Sequence, residues 1–77
     1  MTDHVATKHL LRERVTDSEE FQQMLLRAML SKDEAELMWR HYKEKQDLRL
    51  IADSMGISYT TAKQWHKRSL KILKGIL

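Results

Sequence analysis

Residues that interrupt helices are almost absent from this chain. It has 77 residues with no proline and only two glycines, Gly56 and Gly75. Inside a helix, proline removes a backbone hydrogen-bond donor and glycine costs conformational entropy, so their scarcity favours helix along most of the chain. Apolar residues also recur at helical spacing, without strand-like alternation. We therefore predict an all-α fold, a compact domain of four or five helices.

The length and composition exclude several classes of protein. A chain of 77 residues suits a single domain, residues 1–77. It has no cysteine, so we expect neither disulfides nor a thiolate metal site. No apolar run approaches the ~20 residues of a membrane span, and the first residues lack the apolar stretch of a signal peptide. We expect a cytoplasmic protein that does not contact membranes.

Side chains that could perform catalysis or hold a metal ion are not grouped in the sequence. His4 and His9 are five positions apart, and His41 and His66 are distant from each other, which does not indicate a metal site. The sequence also has no glycine-rich phosphate loop and no cysteine nucleophile. We expect no enzymatic activity, no cofactor and no bound metal.

Capping signals divide the chain into five predicted helices. Hydroxyl and carboxylate side chains stand where N-caps are needed, and Ser31 with Glu34 forms a capping box. Residues 1–15 are expected to be a helical extension, residues 17–46 supporting helices, and residues 47–77 a helix-turn-helix with a long second helix. The predicted helices run from about Asp3 to Arg14, from a cap at Thr16, Asp17 or Ser18 to about Leu30, from Lys32 to about Lys45, from Leu48 to Met55, and from Tyr59 towards Lys74.

Apolar residues at helical spacing define the expected core. We expect burial on one face of each helix, and we expect Trp39 to lie half exposed beside the core. The predicted core residues are Phe21, Met24, Leu25, Ala28, Met29, Leu37, Met38, His41, Tyr42, Leu48, Ile51, Met55, Ile57, Ala62, Trp65, Ser69, Ile72, Leu73 and Ile76.

The segment Asp47 to Leu73 has the pattern of a short helix, a tight turn and a longer basic helix. Ala52 can lie where the two helices approach each other, and Gly56 can end the first helix with φ > 0. Ser58 can cap the second helix through its hydroxyl. This helix-turn-helix pattern is typical of units that place their second helix in the major groove of DNA.

Positive charge is concentrated in the same part of the chain. The whole chain carries +3, but residues 47–77 hold six basic and two acidic residues, a net charge of +4. After Gly56 there is no acidic residue. A basic face on a neutral body suits binding to phosphates, with release of their condensed counterions. The alternative, a solvated basic helix, is less favoured after a helix-turn-helix pattern.

The segment Leu26 to Leu73, about two thirds of the chain, resembles region 4 of bacterial sigma factors, the module that reads the promoter −35 element. LuxR-type output domains share the turn and the second helix, but Tyr42 and the polar connector before Leu48 favour the sigma-like branch. Relatives usually carry a charged residue where this chain has Leu50, so Leu50 is expected outside the core. The resemblance rests on Leu30, Glu34, Leu37, Tyr42, Leu48, Ile51, Ala52, Gly56, Ile57, Ser58, Ala62, Lys63, Gln64, Leu70 and Leu73.

Candidate DNA contacts follow from the pattern and from this resemblance. The first turns of a recognition helix face base edges, where Gln64 can pair with adenine and Lys63 with guanine acceptors. Alternatively, Thr60 and Thr61 only help to cap the helix. The base-contacting candidates are Tyr59, Thr60, Thr61, Lys63 and Gln64, with Lys67 at the edge of this set. The phosphate-contacting candidates are Arg49, Ser58, Lys67, Arg68 and Lys71, which Arg40 and Lys43 could join.

The sequence therefore predicts a DNA-binding transcriptional regulator that resembles a free-standing sigma region 4. Its expected partners are double-stranded DNA and, as a further candidate, RNA polymerase or another transcription protein, with the chain a monomer or weak dimer. The alternative is a protein-interaction module that binds RNA polymerase or an anti-sigma-like partner without reading bases. In that case the N-terminal helices with Leu50, Ile76 and Leu77 would form the contact surface.

Overall fold

The computed structural model describes residues 8, 11–13 and 17–76. Within these residues the chain is all-α, without a β-strand. Residues 8 and 11–13 are helical, whereas the rest of the predicted first helix lies outside the described residues. The elements that follow are α1 (Ser18–Arg27), α2 (Lys32–Met38), a π-helical turn (Trp39–Lys43, the π turn), α3 (Leu48–Met55) and α4 (Tyr59–Lys74).

Each of the four helices begins at a side chain that accepts a hydrogen bond from an otherwise unpaired backbone N–H. Asp17 accepts from Glu20 at 3.0 Å, and Asp47 accepts from Arg49 at 2.8 Å. Ser31 and Glu34 form the predicted capping box, in which each side chain accepts from the other residue's backbone N–H. These caps confirm the predicted starts of the helices. The starts could be predicted because a cap is encoded by neighbouring residues.

The third predicted helix is not one continuous α-helix to Lys45. It changes at Trp39 into the π turn, where the Glu44 N–H donates to the Trp39 carbonyl five residues earlier, at 3.3 Å. Lys45 then adopts φ +57°. The wider turn carries the chain away from α2 and towards Asp47, the cap of α3.

The core joins all four helices and Leu11, which precedes them. The π turn and α4 both pack against α2 and α3. The radius of gyration is 11.6 Å, close to the about 11.5 Å of a compact domain of this length. The buried apolar residues are Leu11, Phe21, Met24, Leu25, Ala28, Leu37, Met38, Tyr42, Ile51, Ala52, Ala62, Leu70 and Leu73.

The predicted burial of Met29 is wrong. Helix α1 ends at Arg27, earlier than the predicted end near Leu30. Met29 then adopts φ +53°, and 89% of its surface is exposed. The helical periodicity that placed Met29 in the core stops applying where the helix stops.

Several other predicted core residues lie at the margin of the core. Trp65 is only partly buried, although it packs against the core, and His41 is half-buried. Trp39 is half-buried as expected, and its ring stacks on Phe21 at a centroid distance of 5.8 Å. Leu48, Met55, Ile57, Ile72 and Ile76 are also partly buried against the core.

Helices α3 and α4 form the predicted helix-turn-helix. Gly56 ends α3 with φ +70°, and the Ile57 N–H donates to the Ala52 carbonyl at 3.0 Å, the backbone pattern of a Schellman turn. Ala52 on α3 and Ala62 on α4 are both buried, and the two helices pack against each other. No helix in the described part of the chain is long and apolar enough to span a membrane.

Candidate nucleic-acid interface

The first turn of α4 is held by hydroxyl groups. Ser58 Oγ accepts the Thr61 N–H at 3.0 Å and donates to Thr61 Oγ1 at 2.9 Å. The Thr61 hydroxyl therefore belongs to the helix cap, and Thr61 is half-buried, whereas Thr60 is exposed. Of the two threonines, Thr60 is the better placed to contact a partner.

Tyr59 forms the centre of a cationic cluster at the start of α4. The guanidinium carbon of Arg49 lies 4.5 Å from the centroid of the Tyr59 ring, and the Lys63 Nζ lies 4.7 Å from it. Both distances are within the range of cation–π attraction. Because Arg49 belongs to α3, the ring links the two helices and keeps two positive charges together at one end of α4.

The outer face of α4 is polar and basic. Lys63, Lys67 and Lys71 follow one another at four-residue intervals, and each is exposed. Gln64 is exposed beside them. These groups can donate hydrogen bonds to phosphate oxygens, and an amide can make a bidentate pair with a base edge. The structure thus brings the base and phosphate candidates of α4 onto one accessible surface.

Arg68 differs from the other candidates because it also contacts the body of the protein. Its Nη1 lies 3.6 Å from Glu34 Oε2. Glu34 is only 4% exposed, and its other oxygen accepts the Ser31 N–H of the capping box. The charge of Arg68 therefore compensates a buried carboxylate on α2 and holds α4 against that helix.

Arg40 is also engaged within the protein. It forms an ion pair with Glu36 at 2.7 Å and donates to Ser54 Oγ at 2.8 Å. The contact with Ser54 fastens the π turn to the end of α3. No signal in the sequence near Arg40 indicates this contact, because Ser54 is distant along the chain.

A small polar cluster joins the π turn to the inner face of α4. Tyr42 Oη and His66 Nε2 share a hydrogen bond of 2.7 Å, and the His41 and His66 rings are 4.9 Å apart. Burial raises the pKa of Tyr42 to about 12, although Arg12 opposes this rise. His41 Nδ1 lies 2.8 Å from the Gln46 carbonyl, which can only accept, so Nδ1 carries a proton.

An open groove of about 900 Å³ lies beside the start of α4. Its cations come from separate parts of the chain: Arg12 from the N-terminal helical residues, Lys43 from the π turn and Lys45 from the connector. Tyr59 forms part of its wall. The sequence did not reveal this groove, because Arg12 is distant along the chain from Lys43 and Lys45.

Three apolar side chains are exposed elsewhere on the surface. Leu26 is 66% exposed, Met29 is 89% exposed and Leu50 is 57% exposed. The exposure of Leu50 agrees with its predicted place outside the core. Leu26 and Met29 lie together at the end of α1, where the Met29 N–H donates to the Leu26 carbonyl at 3.1 Å.

Comparison with protein-family models finds no match, and comparisons with curated proteins and with solved structures find no significant match. The described residues also contain no group of three side chains that could hold a metal ion. Function is therefore inferred from the geometry and charge of the surface around α4.

Proposed function

We propose that this protein is a sequence-specific DNA-binding transcriptional regulator that resembles a free-standing sigma factor region 4. In this proposal α4 enters the major groove of double-stranded DNA. Tyr59, Thr60, Lys63 and Gln64 face base edges, and Arg49, Lys67 and Lys71 contact phosphates. The protein acts in the cytoplasm as a monomer or weak dimer.

The observation that carries this proposal is the placement of α4. The helix is anchored on its inner side by Ala62, Leu70 and Leu73, which are buried. Its outer side presents exposed lysines and Gln64 without any acidic residue along the helix. A helix of 16 residues spans about 24 Å, ample to lie along a major groove about 12 Å wide.

Local structure at the helix start also supports the proposal. Helix-turn-helix proteins contact bases with the first turns of the second helix. Here those turns carry the Arg49–Tyr59–Lys63 cluster, which keeps cationic groups at the end that would approach the bases. Ser58 and Thr61 are exceptions, since their hydroxyls are already paired with each other; Ser58 could still approach a phosphate because it is exposed.

The test is duplex binding measured as a function of salt, followed by selection of preferred sequences from a random duplex pool. Binding should weaken steeply with salt, with a logarithmic slope of about −0.9 for each phosphate contacted. Selection should yield a defined motif. Absence of binding to any duplex at low salt would contradict the proposal.

The exposed leucines and Met29 favour a second candidate, a protein-interaction module that binds RNA polymerase or an anti-sigma-like partner. Contiguous exposed apolar patches mark contact sites, and Leu26 and Met29 are adjacent at the end of α1. Under this alternative, Leu50→Glu or Met29→Glu should abolish binding to purified RNA polymerase and leave duplex binding unchanged. Ile76 is half-buried and Leu77 lies outside the described residues, so the exposed leucines and Met29 are the better probes.

A further inference from the structure

The groove beside α4 has the features of a ligand site. These features are not needed for α4 to read DNA. Among the described residues that line the groove, three are cations (Arg12, Lys43 and Lys45) and one, Asp47, is an acid. These described cations and the acid carry a formal charge of +2. The Asp47 carboxylate accepts the Arg49 N–H as the cap of α3, so part of its hydrogen-bonding capacity is already used.

The backbone around the groove is unusual at two adjacent places. The π turn supplies His41, Tyr42 and Lys43, and single π-helical turns occur frequently at functional sites. Lys45 adopts φ +57°, a left-handed conformation that is unfavourable for a lysine. Both irregularities belong to the segment that forms the groove wall, and together they direct the chain around it.

The shape and lining indicate the size and chemistry of a ligand. The volume of about 900 Å³ lies in the range of roughly 300–1,000 Å³ typical of small-molecule sites, which is too large for a lone phosphate ion. The wall also includes aromatic rings, Tyr59 and the half-buried His41. A phosphate monoester carries a charge of about −1.5 to −2 at neutral pH, which complements the +2 of the lining.

We propose that this groove binds a mononucleotide-sized phosphate ester, with its phosphate held by Arg12, Lys43 and Lys45 and its ring against Tyr59. Such a ligand would lie next to the Arg49–Tyr59–Lys63 cluster. Where α4 also reads DNA as proposed above, the bound ligand would compete with the duplex or shift its affinity. The ligand site itself does not depend on DNA binding.

The primary experiment is performed without DNA. Adenosine monophosphate is titrated into the full chain by calorimetry at constant ionic strength, in a buffer free of phosphate, and the site is located from amide NMR shifts. Inorganic phosphate and adenosine are titrated separately as the two halves of the probe. We expect saturable binding of adenosine monophosphate, weaker binding of either half, and shifts around His41 and Tyr59.

The variants are chosen to preserve the backbone. Lys45→Asn removes a charge and introduces a residue that tolerates φ > 0, and Arg12→Gln removes the charge that the N-terminal helical residues contribute to the groove. Each should lower the affinity for adenosine monophosphate roughly tenfold or more, which is the effect of losing one charge-assisted hydrogen bond. Lys32→Gln removes an exposed charge at the start of α2, outside the groove, and should leave the affinity within twofold.

Two results would overturn the ligand site: an absence of saturable binding of adenosine monophosphate to folded protein, and an equal loss of affinity in Lys32→Gln. In the first case, duplex binding by the groove variants is measured next. Lys45→Asn and Arg12→Gln then weaken duplex binding if the groove contacts only DNA. That result would leave the proposed function standing and make the groove a phosphate contact of the duplex. Conversely, nucleotide binding without duplex binding would support the groove and contradict the DNA proposal.

Discussion

The Tyr42 hydroxyl lies 2.7 Å from Nε2 of His66, and both side chains are buried. This hydrogen bond joins the π turn to the middle of α4. The Tyr42 and His66 rings are 5.6 Å apart, and the His41 ring contacts both. A directional polar contact inside an apolar core fixes the rotation of a helix more strictly than apolar packing does. The pair therefore reinforces the orientation of α4 that its buried residues Ala62, Leu70 and Leu73 favour.

Tyr42→Phe should destabilise the protein by about 1–3 kcal/mol. The ring would still fill its place in the core, but Nε2 of His66 would lose its partner, and an unsatisfied buried polar group carries a cost of this size. The measurement is urea unfolding of wild type and variant. Tyr59→Phe is the matched control, because Tyr59 lies at the surface and should change stability by less than about 0.5 kcal/mol. Equal stability of all three proteins would show that the buried hydroxyl contributes nothing.

Stability should also fall at alkaline pH because of the same hydroxyl. Its pKa is about 12 in the folded protein, against 10.0 unperturbed, chiefly because burial disfavours the charged tyrosinate. Between these values the unfolded chain loses the proton while the folded chain keeps it, so the free energy of unfolding decreases as pH rises through this interval. A shift of two units corresponds to about 2.7 kcal/mol.

The measurement is urea unfolding at several pH values from neutral to pH 12. Wild type should lose stability more steeply above pH 10 than Tyr42→Phe, which lacks the titrating group. The two proteins have the same lysines, so the contributions of the lysines to the pH dependence of stability cancel in the comparison. Parallel pH profiles would contradict the assignment.

The helix starts and the helix-turn-helix could be predicted from the sequence because their signals are local. A cap needs only a side chain and a backbone N–H within three residues, as Ser31 and Ser58 show. The turn needs one residue that tolerates φ > 0, and Gly56 supplies it. The amphipathic faces of α3 and α4 then place Ile51, Ala52 and Ala62 inside.

The remaining features depend on contacts between distant residues. Nothing in the sequence near Tyr42 indicates His66, 24 positions away, as its partner. The burial of Met29 was wrongly predicted because the helical period was extended beyond Arg27, where α1 ends. The groove likewise depends on the position of Arg12 near Lys45 and Gln46, which are distant from it along the chain.

Gly56→Ala should destabilise the protein by roughly 1–2 kcal/mol, the cost of a non-glycine residue at φ > 0. The cause is conformational and not steric, since a Cβ at Gly56 would meet nothing within 4 Å. Gly56→Asn should therefore cost less than Gly56→Ala, although asparagine is the larger residue. The check is thermal unfolding of both variants. If asparagine destabilises more than alanine, then space and not φ limits this position.

Arg68→Gln should reduce stability, whereas Lys67→Gln should not. Removing Arg68 leaves the buried carboxylate of Glu34 without its cationic partner at 3.6 Å. Loss of a partner costs about 3–5 kcal/mol for a fully buried pair and at most about 1 kcal/mol for an exposed one. Because the Arg68 side chain is 69% exposed, we expect about 1–2 kcal/mol, between these limits.

The double variant Glu34→Gln with Arg68→Gln provides the control for that prediction. It removes both charges, so it should be less destabilised than the sum of the two single changes. Additive effects in urea unfolding would show that the two side chains do not interact. Arg68→Gln would then be a clean test of phosphate contact in DNA binding.

Gln64→Ala and Lys67→Ala should weaken DNA binding in different ways. Both side chains are exposed on α4, so neither change should affect folding. Gln64 is nearer the start of the helix, where base edges are read, and its loss should cost about 1–3 kcal/mol on the selected site and relax preference at one base pair. Lys67 lies almost one turn further along the helix, where phosphates are the nearer partners. Its loss should weaken all duplexes alike and lower the salt slope by about 1.

Four binding curves for each protein separate these outcomes: the selected duplex and a random duplex, each at low and moderate salt. Lys32→Ala is the matched control, because it removes an exposed lysine at the start of α2, outside α4. It should reproduce wild-type affinity on both duplexes. If Gln64→Ala and Lys67→Ala also bind both duplexes like wild type, α4 does not read DNA. The exposed side chains of Leu26, Met29 and Leu50 then become the first candidates for contact with a protein partner.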